Sequence, residues 1–147
     1  MISRTKHERS KIAAWQGDLV SAARLSNEAQ ALVSVGRPTH ASVMAALYCQ
    51  GWITMLQGDD DTALQHLEKA LIICQLNEPH RGNAGESARV QWRMSQVYER
   101  KGMAEEAKRL RNTGEEVKRE LLETGDYAVV EDDDEAQWDA LVGLLYR

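Results

Sequence analysis

The fold of this chain is decided by residues 47–70, which read LYCQGWITMLQGDDDTALQHLEKA. Inside this stretch Gly58 is followed, five positions later, by the small residue Ala63. The same spacing begins at Gly17 and at Gly102, so that the three glycines are 41 and 44 residues apart. Internal repeats of this length, with helical periodicity on both sides of each glycine, are typical of helical hairpins that stack because none buries its apolar face alone.

Each repeated glycine marks a predicted boundary between two helices. Glycine adopts the left-handed backbone conformation of a tight helix end without strain, and Asp18 or one of Asp59–Asp61 can then cap the helix that follows. Gly51 has no side chain to hold the two helices of its hairpin apart. The helix after Gly58 has one apolar face, because small and apolar residues recur there at intervals of three and four. These residues are Ala63, Leu67, Ala70, Leu71 and Cys74.

Composition favours an all-α protein. The 147 residues include 18 Ala and 15 Leu, and only 5% are aromatic; Ala and Leu favour helices, whereas β-branched and aromatic residues favour strands. The net charge of −5 argues against nucleic acid as a partner, and every apolar run is far shorter than a membrane span. We therefore expect a cytoplasmic protein with no membrane partner, in which Cys49 and Cys74 are buried, reduced thiols.

Turn-favouring residues divide the chain into a predicted repeat array, residues 1–124, and a tail. Clusters that contain Gly, Pro and Asn predict loops between hairpins at 36–38 and 77–85. The hairpins that result are units at about 3–36, 39–77 and 85–124.

The second unit resembles a tetratricopeptide repeat, in residues 47–58 and in the small and apolar residues that follow Gly58. The period of 41–44 residues exceeds the family's usual length of about 34. It is similar to the longer-helix variety in the C-terminal regions of large fungal and bacterial signalling proteins with an NTPase domain. The resemblance implies a right-handed stack of three such hairpins with a C-terminal capping helix. The third unit keeps matching residues at Ser95, Tyr98, Gly102 and Ala107.

In tetratricopeptide proteins the first helix of each hairpin lines a concave groove that binds extended peptides or helices. The resemblance implies that this groove is basic and aromatic here, a composition that is typical of binding hot spots. For Tyr48, Trp52 and Trp92 a place in the core is the alternative. The groove residues that the family's spacing implies are Arg4, His7, Lys11, Tyr48, Trp52, Met55, Arg89, Trp92, Arg93, Gln96 and Arg100.

The sequence contains no enzyme signature: it lacks a glycine-rich phosphate loop, a nucleophile elbow and paired metal ligands. We therefore predict no catalytic residue, no metal and no cofactor. The function that follows is a non-catalytic adaptor or scaffold, which binds a protein or peptide of acidic character in the groove. The alternative is the sensor end of a larger regulatory NTPase-type protein, which binds a small ligand or a partner. If the chain is a piece of a longer array, its exposed first hairpin also predicts self-association.

The tail is more acidic than the array. Residues 125–133 are predicted to be an acidic linker and residues 134–147 a C-terminal capping helix, since stacked repeats need a cap over their last apolar face. We expect this helix to pack against residues 117–121, with the acids of residues 131–134 near Arg89 or Arg93; the alternative is that the tail occupies the groove. The apolar face of the helix consists of Trp138, Leu141, Val142 and Leu145.

Overall fold

The protein is described by a computed structural model that covers residues 2–81, 84–124 and 134–141. All secondary structure in this part of the chain is α-helical, with no strand. The predicted all-α class is therefore confirmed for these residues. The helices are α1 (Ile2–Trp15), α2 (Leu19–Ser34), α3 (Ala41–Leu56), α4 (Asp60–Arg81), α5 (Ala84–Arg100), α6 (Ala104–Glu123) and α7 (Asp134–Ala140).

The chain divides into two compact units, Met1–Ile73 and Cys74–Arg147. In the first unit α1 packs on α2, and α2 packs on α3. In the second unit α5 packs on α6 and also contacts α7. Each unit contains its own buried apolar residues.

The tight turns between helices are made by glycines in the left-handed region, as predicted. After Gly17 and after Gly58, the aspartate that follows the glycine caps the next helix. Asp18 Oδ1 accepts a hydrogen bond from the Ser21 amide, and Asp59 Oδ1 accepts one from the Thr62 amide, both at 3.1 Å. Both predicted caps are confirmed. The glycines are Gly17, Gly58 and Gly102, with φ values of 82°, 84° and 75°.

Gly51 lies at a close approach of α3 and α4. A Cβ atom at this position would lie 2.6 Å from Leu67 Cγ and 3.3 Å from the backbone oxygen of Ala63. Since optimal carbon–carbon contacts are about 3.5–4.0 Å, glycine leaves the room that the Leu67 side chain occupies. The predicted close approach of this hairpin is therefore confirmed.

The end of α4 differs from the prediction. A loop was expected over residues 77–85 because Asn77 and Pro79 favour turns, but α4 continues to Arg81 and α5 begins at Ala84. Local propensity is a weak prior that a helical context overrides. Helix α4 thus ends four residues beyond residue 77, the expected end of the second predicted hairpin.

Candidate functional site

Five of the predicted groove residues lie on α5, and Arg100 is the last of them. Because Arg89, Trp92, Arg93 and Gln96 are spaced by three and four residues, they share one side of the helix, which we call the α5 face. Arg89 is only 1% exposed and Arg93 only 3%, and Trp92 is also buried. A guanidinium group with so little solvent contact requires a partner for its charge.

That partner is α7. Arg89 Nη1 donates to Asp139 Oδ1 at 2.9 Å, and Arg93 Nη2 donates to Glu135 Oε1 at 2.6 Å. The two arginines are four residues apart on α5 and the two acids are four residues apart on α7, so both pairs form in one register. Since the order of the pairs is reversed along the two helices, α7 runs antiparallel to α5.

The contact between α5 and α7 also contains an aromatic stack of two tryptophan rings. The Trp92 and Trp138 rings have centroids 5.4 Å apart and planes inclined by 17°. Each ring also has a cation beside it: Arg93 Cζ lies 4.7 Å from the Trp92 centroid, and Lys118 Nζ lies 4.6 Å from the Trp138 centroid. A cation near the ring face is attracted by the negative quadrupole of the ring. The contact between α5 and α7 therefore combines charge with apolar burial.

Two glycines lie at close approaches around α7. A Cβ atom at Gly85 would collide with the backbone of Leu141. At Gly114 of α6, a Cβ atom would lie 3.1 Å from the Ala88 oxygen and 3.4 Å from the Trp138 ring. A side chain at Gly85 would therefore push α7 away from α5, whereas one at Gly114 would press first on the α5 backbone.

The predicted burial of the tail helix is confirmed for its described residues. Trp138 and Leu141 form a buried cluster with Ala88 and Trp92. Val142 and Leu145 lie outside the described residues. The partly buried residues that pack against this cluster are Val117, Leu121 and Leu122.

The acids that meet the two arginines differ from those predicted from the sequence. The acids expected there were those of residues 131–134, whose side chains lie outside the described part; the carboxylates that the structure shows at the two arginines are those of Glu135 and Asp139. The signal that identifies them is the four-residue spacing that they share with Arg89 and Arg93.

The predicted groove residues of the first unit lie partly around Trp15, a residue that the sequence analysis did not single out. Lys11 Nζ is 5.6 Å from the Trp15 centroid, and the Trp15 and Trp52 rings meet edge to face at 6.1 Å. Tyr48, Trp52 and Met55 are buried, which fits the core alternative stated for the two aromatic residues.

The remaining predicted residues have mixed surroundings. Arg4 belongs to α1, but its side chain lies outside the described part. His7 is half-buried. Gln96 accepts a hydrogen bond from Arg93 at 2.9 Å, and Arg100 is exposed in the last turn of α5. The structure thus brings together Arg89, Trp92, Arg93 and Gln96.

The α5 face holds the helix α7 through two guanidinium groups and an indole. Within the described residues, no three or more His, Cys, Asp or Glu side chains are grouped to hold a metal ion. Nor does any helix of that part have the length and apolar character to cross a membrane. Comparison with known proteins finds no matching family model and no matching curated protein.

Proposed function

We propose that this chain is a non-catalytic protein–protein interaction module, an adaptor or scaffold, that binds an acidic helix or peptide on the α5 face. The observation that carries the proposal is the position of α7, which makes the contacts that a partner helix would make. Its carboxylates meet both arginines, and its tryptophan stacks on Trp92. In this proposal α7 is a resident ligand that a partner displaces.

The α5 face has the chemistry of a binding hot spot. Tryptophan offers a large apolar area, and the planar guanidinium group offers several donors in a fixed geometry. Two arginines one turn apart select a partner with two acids at the same spacing. We therefore expect the partner helix to resemble α7, with an acid, a large apolar residue three positions later and a second acid directly after it.

The tetratricopeptide resemblance supports the same function. In that family the first helix of each hairpin lines the groove, and α5 would be the first helix of the third unit. We therefore propose a right-handed stack of three hairpins, with the α5 face as part of the groove and α7 as its resident occupant. A cytoplasmic setting belongs to the proposal, since the buried cysteines Cys49 and Cys74, which are not joined in a disulfide, fit a reducing compartment.

The test uses a labelled peptide with the sequence of residues 131–147. In the wild-type chain α7 is tethered close to the α5 face, and its high effective concentration excludes the free peptide. The double variant E135K/D139K places lysines against the two arginines and should release α7. We expect the peptide to bind this variant and not the wild type, measured by fluorescence anisotropy.

Two controls make the result specific. The variant E105K/E116K makes the same charge change at exposed positions of α6 and should not bind the peptide. A peptide that itself carries lysine at positions 135 and 139 should not bind either chain. Hydrogen exchange at residues 134–141 reports whether α7 is released. If α7 is released and the wild-type peptide still does not bind, α7 is only a structural element and the proposal fails.

A further inference from the structure

A polar cleft lies in the first unit, where α2, α3 and the start of α4 meet. Its volume is about 240 Å³. A cavity needs only about 10–15 Å³ to admit one water molecule, so the cleft has room for a chain of several heavy atoms. The residues that line this polar cleft are Ala23, Ser26, Asn27, Gln50, Ile53, Thr54, Gln57, Asp59, Thr62 and His66.

Three buried polar atoms on the walls of the polar cleft have no hydrogen-bond partner among the described residues. They are Ser26 Oγ, Gln50 Oε1 and His66 Nδ1. Ser26 is 1% exposed and Gln50 is 4% exposed. Buried polar groups are nearly always hydrogen-bonded, and here one residue from each of three helices leaves an atom unpaired in the same cleft. This coincidence points to a ligand.

The orientation of the Gln50 amide defines what the ligand must offer. Its Nε2 donates to Asn27 Oδ1 at 2.7 Å, which leaves Oε1, an acceptor, for the cleft. The hydroxyl of Thr54 is already engaged, since it donates to the backbone oxygen of Gln50. A ligand in the polar cleft must therefore offer a hydrogen-bond donor to Gln50 Oε1.

The charge of the polar cleft is negative. Asp59 is the one acidic residue among the ten that line it, and neither Lys nor Arg is among them. The hydrogen bonds from Thr62 lower the pKa of Asp59, so its carboxylate is ionised at neutral pH. Burial lowers the pKa of His66, so its ring is neutral and Nδ1 can accept a hydrogen bond.

We propose that the polar cleft binds a small organic cation with a primary ammonium group. An ammonium group has three donors and no acceptor, which matches the free atoms of Ser26, Gln50 and His66, and its charge is balanced by Asp59. A carboxylate or phosphate ligand would meet acceptors and a like charge. This site is independent of the α5 face, and it suits the sensor alternative that the sequence left open.

The test is a titration of the full chain, followed by the amide signals in two-dimensional NMR spectra. The probes are putrescine, the butanediol of the same chain length, and succinate. We expect saturable shifts around Ser26, Gln50 and His66 with putrescine only. Equal shifts with the diol would show that hydroxyl groups suffice, and the ammonium proposal would be overturned. It is also overturned if putrescine gives no saturable shift in this region.

Two variants separate binding at the cleft from general attraction to an acidic chain. Asp59→Asn removes the charge but retains a good helix cap, and we expect about fivefold weaker putrescine binding, the order of an exposed ion pair. Asp18→Asn is the matched control, since Asp18 caps α2 in the same way but does not line the cleft. If the two variants weaken binding equally, the attraction is nonspecific and the proposal is wrong.

Ser26→Ala completes the test. It removes an unpaired hydroxyl, so the melting temperature should stay the same or rise, while putrescine binding should weaken. A variant that keeps its stability and binds putrescine as the wild type does would show that Ser26 does not contact the ligand, and would overturn the proposed set of contacts.

Discussion

Arg89 and Asp139 form an ion pair whose two ends differ in solvent exposure: the guanidinium side chain is 1% exposed and the carboxylate side chain is 35% exposed. Removing the carboxylate leaves a desolvated cation that has lost its ion pair, whereas the carboxylate by itself retains contact with water. The penalty for breaking a pair falls on the partner that remains buried. Asp139, a residue near the surface, therefore stabilises a buried arginine of α5.

We expect Asp139→Ala to lower the free energy of unfolding by about 2 kcal/mol, the order of a hydrogen bond to a charged group. Glu106→Ala is the matched control, because its pair with Arg109 is exposed at both ends; we expect hardly any loss there, as for most surface pairs. Urea denaturation of both variants measures the difference. Equal losses would mean that burial of Arg89 has no energetic consequence.

A second prediction concerns Gly85. In an isolated helix Gly→Ala is favourable by about 1 kcal/mol, so any loss of stability in Gly85→Ala comes from packing. The added methyl group collides with the backbone of Leu141, and we expect α7 to detach from α5. Hydrogen exchange at residues 134–141 should become faster, with a smaller increase in Gly114→Ala, where the nearest atom is 3.1 Å away. Unchanged exchange in Gly85→Ala would contradict this packing.

A third prediction concerns Gly51, where α3 and α4 approach closely. Gly51→Ala places a methyl group 2.6 Å from Leu67 Cγ, and we expect a loss of about 1–3 kcal/mol, the usual range for overpacking. In the background of Leu67→Ala the colliding atoms are gone, so the second substitution should then be tolerated. A double-mutant cycle measured by urea denaturation gives the coupling between the two sites. Additive losses would show that the two side chains do not compete for space.

The sequence was sufficient for the features that depend on local pattern. Gly17 and Gly58 predicted turns, Asp18 and Asp59 predicted caps, and the spacing of Trp138 and Leu141 predicted a buried face. Each of these depends on residues within one or two helical turns.

Local sequence pattern does not reveal features that depend on the register of two helices. The choice of Glu135 and Asp139 as partners of Arg89 and Arg93 depends on how α7 is positioned along α5. The polar cleft depends on Ser26, Gln50 and His66, which are separated by 24 and 16 residues in the sequence and meet only after three helices have packed.

The last prediction concerns pH and His66. Burial is the main cause that lowers the pKa of its imidazole below the ordinary value of 6.5; Lys69 adds to the effect and Asp59 opposes it. Between the lowered pKa and 6.5 the unfolded chain binds more protons than the folded chain, so the free energy of unfolding rises with pH in this window and the effect ends above it. The lowered pKa values of Asp18 and Asp59 act in the same direction, but around and below their ordinary value of 3.8. We therefore expect urea denaturation between about pH 5 and pH 7 to show a smaller rise in stability for His66→Gln than for the wild type. An identical rise in both proteins would assign the pH dependence to other groups.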